Sequence, residues 1–172
     1  MLILVNKKDK EIGREDWLKC HQLPGLLHRA FMVMIFNLQG DLLLARRSQQ
    51  KPLWPKVWDG SIASHPVLGE TLGQAVRRRL KEEVGINDSS TLKKLFKFQY
   101  EAYWKNEGIE KEICATYKLI YEGKLKVDPR EIDGLRWISL ERLKKELKNF
   151  PEKYSPWLIL ALKEIDKKDS SS

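Results

Sequence analysis

Cysteine is scarce in this sequence. Its 172 residues contain only Cys20 and Cys114, far apart. That excludes a disulfide framework and a CxxC zinc knuckle, and a reducing cytoplasm is the expected compartment. Histidine is equally sparse, at His21, His28 and His65. No apolar run approaches the roughly 18 residues a membrane-spanning helix needs. The opening MLILVNKKDKEIG turns charged after Val5, so it lacks the shape of a secretory leader. Glycine (ten) and proline (seven) are too few for a collagen-like or low-complexity chain. What remains is an ordinary globular balance, 42% hydrophobic and 33% charged, which excludes disorder. The length suits one compact domain, expected over residues 1–166, with 167–172 a frayed tail.

One sign of charge dominates. Thirty-two Lys and Arg against 24 Asp and Glu leave a net charge of +8. A basic chain attracts polyanions. The cations are scattered along the sequence, so the expected partner is a phosphorylated small molecule, with neither nucleic acid nor membrane. A merely solvated basic surface is the plain alternative, and oligomeric state is left open.

Leu2 to Val5 reads as a strand and NKKDKEIG as a turn; 14–27 reads as irregular. Residues 28–36 and 41–45 look like a hairpin joined by NLQGD. Residues 57–63 can form a strand. A helix is expected near 70–84, ended by Gly85. Strands follow at 92–104, 109–121 and 135–138. Ser139 is a good N-cap for a helix at 140–148, and a last helix starts near Pro156. This order predicts an α+β chain with a mixed sheet sandwiched between helices.

Two segments carry charge where burial is expected. At about 100° per residue, Leu72, Ala75, Val76, Leu80 and Val84 share one helical arc, and Arg79 and Glu83 fall inside it. Buried charges need a partner or a metal. Either the two residues pair at i,i+4, or Glu83 holds a hard cation while Arg79 faces an anion. In IEKEICATY, Glu110, Glu112 and Cys114 share one strand face. That face is either wet or brings two carboxylates onto a metal or an acid/base task. The histidine spacing is too loose to decide between these readings.

The stretches LHRAFMVMIF, LLLARRSQQKPLWPKVW, SHPVLGE, AVRRRLKEEVGI, EKEIC and YSPW, in this order, resemble the type 1 isopentenyl-diphosphate delta-isomerases of the Nudix superfamily. The resemblance runs from about residue 3 to residue 160 and implies the Nudix fold. It implies a divalent ion (Mn²⁺, Mg²⁺ or Zn²⁺) held by residues matching His21, His28, His65, Glu110 and Glu112. It implies a second ion, Mg²⁺, carried by a diphosphate to the match of Glu83. Diphosphate contacts match Arg47, Lys51 and Arg79, with Arg46 adjacent. Trp157 matches an aromatic facing a carbocation, Tyr100 an active-site tyrosine, and Glu112 the catalytic acid.

The general Nudix box GX5EX7REUXEEXGU is met by Glu70, Arg78, Glu82, Glu83, Gly85 and Ile86, with Ser64 and Arg79 departing from it. The family motif W-T-N-x-x-C-x-H-P reads WDGSIASHP here, so Ala63 stands at the cysteine position. Trp17 stands where the family usually has a lysine that contacts phosphate. Three activities are compatible with these residues. One is isomerisation of isopentenyl diphosphate. Another is Nudix-type hydrolysis of a nucleotide or prenyl diphosphate, using Asp59 and Glu82 or Glu83. The third is binding of a diphosphate without chemistry.

Overall fold

A computed structural model describes residues 1–169. Nine strands form one mixed sheet. They are β1 (Leu2–Val5), β2 (Glu11–Glu15), β3 (His28–Phe36), β4 (Leu42–Arg47), β5 (Trp58–Asp59), β6 (Ile62–Ser64), β7 (Lys93–Trp104), β8 (Gly108–Ile120) and β9 (Ile132–Ile138). The helices are α1 (Trp17–His21), α2 (Leu72–Val84), α3 (Leu140–Asn149) and α4 (Pro156–Asp169), with a 3-10 turn at Pro151–Lys153.

β3 organises the sheet. It runs parallel to β8 through nine consecutive pairs, from His28 opposite Glu112 to Phe36 opposite Ile120. On its other side it pairs antiparallel with β6 over Phe31–Ser64, Met32–Ala63 and Val33–Ile62. The expected hairpin therefore closes only at its base, where Phe36 meets Leu42. Beyond that point β4 leaves β3 for β9 and β5. The reason is burial: HRAFMVMIF is apolar on both faces, so it belongs in the middle of a sheet rather than in a two-stranded ribbon.

The two faces of β3 build two cores. Ala30, Met32, Met34 and Phe36 pack with Leu143, Trp157, Leu158 and Leu162 from α3 and α4. Phe31, Val33 and Ile35 pack with Ala75, Val76, Leu80 and Val84 from α2. The sheet is thus sandwiched between helices. α2 is closed by a capping box between Thr71 and Gln74 and by Gly85 at φ 74°. That left-handed conformation suits glycine. Glu83 is buried on the face of α2 that packs on the sheet, as the arc of the sequence predicts.

Four expectations are corrected. Glu11–Glu15 pairs with β1 instead of turning. Trp17–His21 is helical, its N-terminus capped by the Asp16 side chain accepting from Lys19 N at 3.0 Å. Residues 57–63 split into β5 and β6 around Gly60. The last helix, α4, extends to Asp169, past the expected end near 166, with Lys167 bonded to Glu164 at 2.5 Å and basic residues in the last turn, where the helix dipole favours them. Residues 170–172 of the expected tail lie outside the described residues.

Candidate metal centre

Three short-range features aim three imidazoles at one point. α1 is little more than one turn, so Trp17 and His21 stack at i,i+4. Their ring centroids are 4.1 Å apart, and His21 Nδ1 donates to Trp17 O at 2.7 Å. His28 opens β3, and its Nδ1 donates to Leu26 O at 2.7 Å. His65 follows β6. A histidine whose Nδ1 holds the proton presents a lone pair at Nε2. A backbone carbonyl on the far nitrogen is the usual support of a metal-ligating imidazole.

The Nε2 atoms meet carboxylates from β8. His21 Nε2 lies 2.9 Å from Glu110 Oε2. Both atoms are buried and lack a hydrogen bond of acceptable geometry. His65 Nε2 is 2.8 Å from Glu112 Oε1 and 3.2 Å from His28 Nε2. The five ligating atoms of His21, His28, His65, Glu110 and Glu112 lie within 4.8 Å of one another. The facing atoms of His21 and Glu110 are left without a hydrogen-bond partner, and a cation between them resolves that. A set of imidazoles and carboxylates suits a divalent ion.

The electrostatics agree. Burial pushes the Glu112 carboxyl up, but its bonds to His28 and His65 reverse this and hold it well below the usual range. Burial and the neighbouring Glu112 raise Glu110. Burial drives His65 down to about 4, keeping it neutral. Burial also pushes His28 down, yet its bond to Glu112 leaves it raised overall. The field that draws a proton to His28 draws a metal ion equally. Burial, with Glu112 beside it, pushes the Tyr100 phenol well up. The neutral hydroxyl donates to Glu112 Oε2 at 2.6 Å.

His65, Glu110, Glu112 and Tyr100 line a cavity of about 440 Å³. Trp157, Arg47, Lys51 and Arg79 line it too, as do Trp17 and Ala63. The Trp157 indole N–H donates to the buried Asp59 carboxylate at 2.7 Å, and Ser155 Oγ does the same at 2.7 Å. Arg47 is held by the carbonyls of Leu53 and Trp54, and its guanidinium lies 5.2 Å above the Trp157 ring. Cys114 is a cavity wall whose thiol is pushed well up by burial and by Glu112.

One expected diphosphate contact stands elsewhere, and Glu83 lies apart from the five ligands, as its assignment to a second ion requires. Arg46 lies outside the cavity, paired with Asp133 at 2.5 Å and stacked over Trp58. Glu83 lines a small adjoining cleft and accepts from Arg79 at 2.8 Å. Burial pushes its carboxyl up to about 7, with Arg79 opposing. Sequence reasoning missed Glu131, whose carboxylate accepts from both Lys51 and Arg79. It also missed the anchoring role of Asp59. Neither has a periodic signal; the Asp16 cap ahead of α1 was legible but unused.

Comparison with known proteins follows the same lines. The NUDIX domain family matches residues 26–158. The isopentenyl-diphosphate Delta-isomerase of Haloarcula marismortui is 36% identical over 166 residues, covering 94% of this chain and 89% of that protein. The Klebsiella pneumoniae protein of the same name is 33% identical over 165 residues, covering 96% and 90%. Among solved structures, DR0079 from Deinococcus radiodurans superposes with a TM-score of 0.70 at 24% identity, over 87% of this chain and 89% of that one, a likeness of fold. With a continuous match to the domain and relatives above 30% identity along nearly its whole length, the chain belongs to the Nudix family and, within it, to the isopentenyl-diphosphate Delta-isomerases.

Proposed function

We propose that this protein interconverts isopentenyl and dimethylallyl diphosphate, slowly, at the cavity between the five-ligand cluster and the basic wall. The observation that carries this reading is the Tyr100–Glu112 hydrogen bond of 2.6 Å at the edge of that cluster. A neutral phenol fixes one oxygen of Glu112, and this carboxyl, ionised at rest, takes a proton from solvent before it delivers one. Moving the double bond requires a proton added at one alkene carbon and another removed from the carbon two positions along. Glu112 serves the first transfer; with only the Ala63 methyl group on the opposite wall, solvent water takes the second proton, which makes the reaction slow. The Trp157 face, held in place by Asp59, stabilises the positive charge that develops between the two steps. Arg47, Lys51 and Arg79 bind the diphosphate, and Arg46 stands too far out to join them.

The divalent ion, Mn²⁺, Mg²⁺ or Zn²⁺ at His21, His28, His65, Glu110 and Glu112, would supply positive charge that holds both carboxylates and acidifies a proton on Glu112. A second ion, Mg²⁺ brought with the diphosphate, is assigned to Glu83. No helix among the described residues is long and apolar enough to cross a membrane. Both cysteines are unpaired and buried, which fits a reducing cytoplasm, and residues 1–166 are assigned to one domain.

Metal loading is expected to stabilise the fold. A cation at a hundredfold excess over its Kd adds about 2.7 kcal/mol, or about 5–10 °C in Tm for a chain of this size. Scanning fluorimetry with Mn²⁺, Zn²⁺ and Mg²⁺ in turn reads this. His28→Ala is expected to remove most of the shift, and a flat response of the native protein to all three ions would count against the centre.

Activity is tested by incubating isopentenyl diphosphate with the metal-loaded protein in D₂O. Mass spectrometry then reads isomer, deuterium content and free phosphate together. Deuterated dimethylallyl diphosphate is expected. The second reading, hydrolysis of the diphosphate, draws on Ala63, since attack by water needs no thiol at that wall. It would give phosphate without deuterium in the carbon skeleton.

A further inference from the structure

The two basic residues assigned to the diphosphate already share an anion. Glu131 Oε1 accepts from Arg79 Nη2 at 2.8 Å, and Glu131 Oε2 accepts from Lys51 Nζ. One carboxylate thereby bridges a cation from α2 and a cation from the loop after β4. Lys51 and Arg79 both line the large cavity, whereas Glu131 lies behind them in the small cleft with Glu83.

The loop that carries Glu131 is fixed at both ends. Ser48 N donates to Glu131 O at 3.0 Å, and Ser48 Oγ donates to Arg130 O at 2.6 Å. Asp128 N donates to Glu83 O at 2.9 Å. The segment bearing the carboxylate is therefore tied down by Ser48, just after β4, and by the Glu83 carbonyl of α2. Arg79 has further carboxylate partners in Glu83, at 2.8 Å, and Glu82, at 3.0 Å.

We infer that Glu131 is a positioning residue that acts as an internal stand-in for the diphosphate. It holds Lys51 and Arg79 apart and aimed, and it competes with the ligand for the same donors. The inference rests on the diphosphate reading above. Carboxylate and phosphate oxygens ask for the same guanidinium and ammonium donors. A diphosphate with two to three charges wins that competition, at reduced affinity, because it must displace or share with an anion already seated. The same anion takes back its donors when the diphosphate leaves.

The test is calorimetric titration of inorganic pyrophosphate, with and without Mg²⁺, into the native protein, Glu131→Gln and Glu131→Asp. Removing one negative charge a few ångströms from the phosphates is expected to tighten pyrophosphate binding about tenfold in Glu131→Gln, in both conditions. Glu131→Asp keeps the charge and is expected to bind within about threefold of the native protein. Equal or weaker binding by Glu131→Gln overturns the inference. Weakening seen only with Mg²⁺ would reassign Glu131 as a partner of the second ion. Should Glu131→Gln fail to fold, the native protein carries the test: its Glu131 carboxyl ¹³C resonance is expected to move when pyrophosphate takes its donors, and a stationary resonance overturns the inference. An absence of binding heat in the native protein overturns the diphosphate site itself, and the role of Glu131 with it.

Discussion

Cysteine placed at position 63 is expected to raise the rate of isomer formation by about 10²- to 10⁴-fold, the usual worth of one positioned acid/base group. Ala63 lines the same cavity as Glu112, but the two come from strands on opposite sides of β3. β6 carries Ala63 opposite Met32, and β8 carries Glu112 opposite His28. A substrate lying across β3 therefore meets a carboxylic acid on one side and a methyl group on the other. A methyl group takes or gives no proton, so one of the two transfers has no protein partner. Cys114 does not fill that role, because it shares β8 and its face with Glu112 and its thiol is pushed well up. The added sulfur of Ala63→Cys enters cavity space, so little is lost in packing. Isomer production by Ala63→Cys no faster than by the native protein would remove isomerisation from consideration and leave hydrolysis or binding.

Glu112→Gln is expected to lower isomer formation by about 10³-fold. This carboxylate has more demands on it than any other group in the site. It accepts from Tyr100 at 2.6 Å, faces His65 at 2.8 Å and lies 3.5 Å from His28. The amide keeps the shape, and its oxygen still accepts from Tyr100. It can neither carry a transferable proton nor offer a negative charge to an ion. The Tm shift with metal is expected to shrink as well, and that readout separates loss of the ion from loss of the acid. Turnover within tenfold of the native protein, with the ion still bound, would place the proton transfer on another residue.

Much of this architecture was legible because it follows from short-range patterning. The arc on α2, its Thr71 cap and its Gly85 stop are local signals, and the charged pair inside the apolar arc was visible before any coordinates. The splaying of β3 from β4 was not, although the two-faced apolar run of β3 held the clue. A strand buried on both sides needs two neighbours, and the turn residues of NLQGD show only one. Helix α1 escaped because five residues are too few to display a period. Histidines 21, 28 and 65 sit on three separate elements, and spacing alone could not say that they meet. The resemblance to a known family said so, and the parallel register of His28 with Glu112 gives the physical reason. Glu131 and the anchoring role of Asp59 were beyond reach, since the partners involved lie far off in sequence and depend on how loops dock.

The unequal anchoring of the two cavity walls has an evolutionary consequence. His28 and Glu112 sit on the first of nine rungs joining β3 to β8, while Ala63 belongs to a strand held to β3 by three. A change confined to the lightly tethered wall spares the four ligands carried by α1, β3 and β8 and reaches the ion cradle only through His65, which follows β6. Such a scaffold lets a lineage exchange one reactive group for another, or drop it, and still retain its grip on an inorganic ion. An alanine at position 63, where the motif it resembles has cysteine, is compatible with such a division of labour.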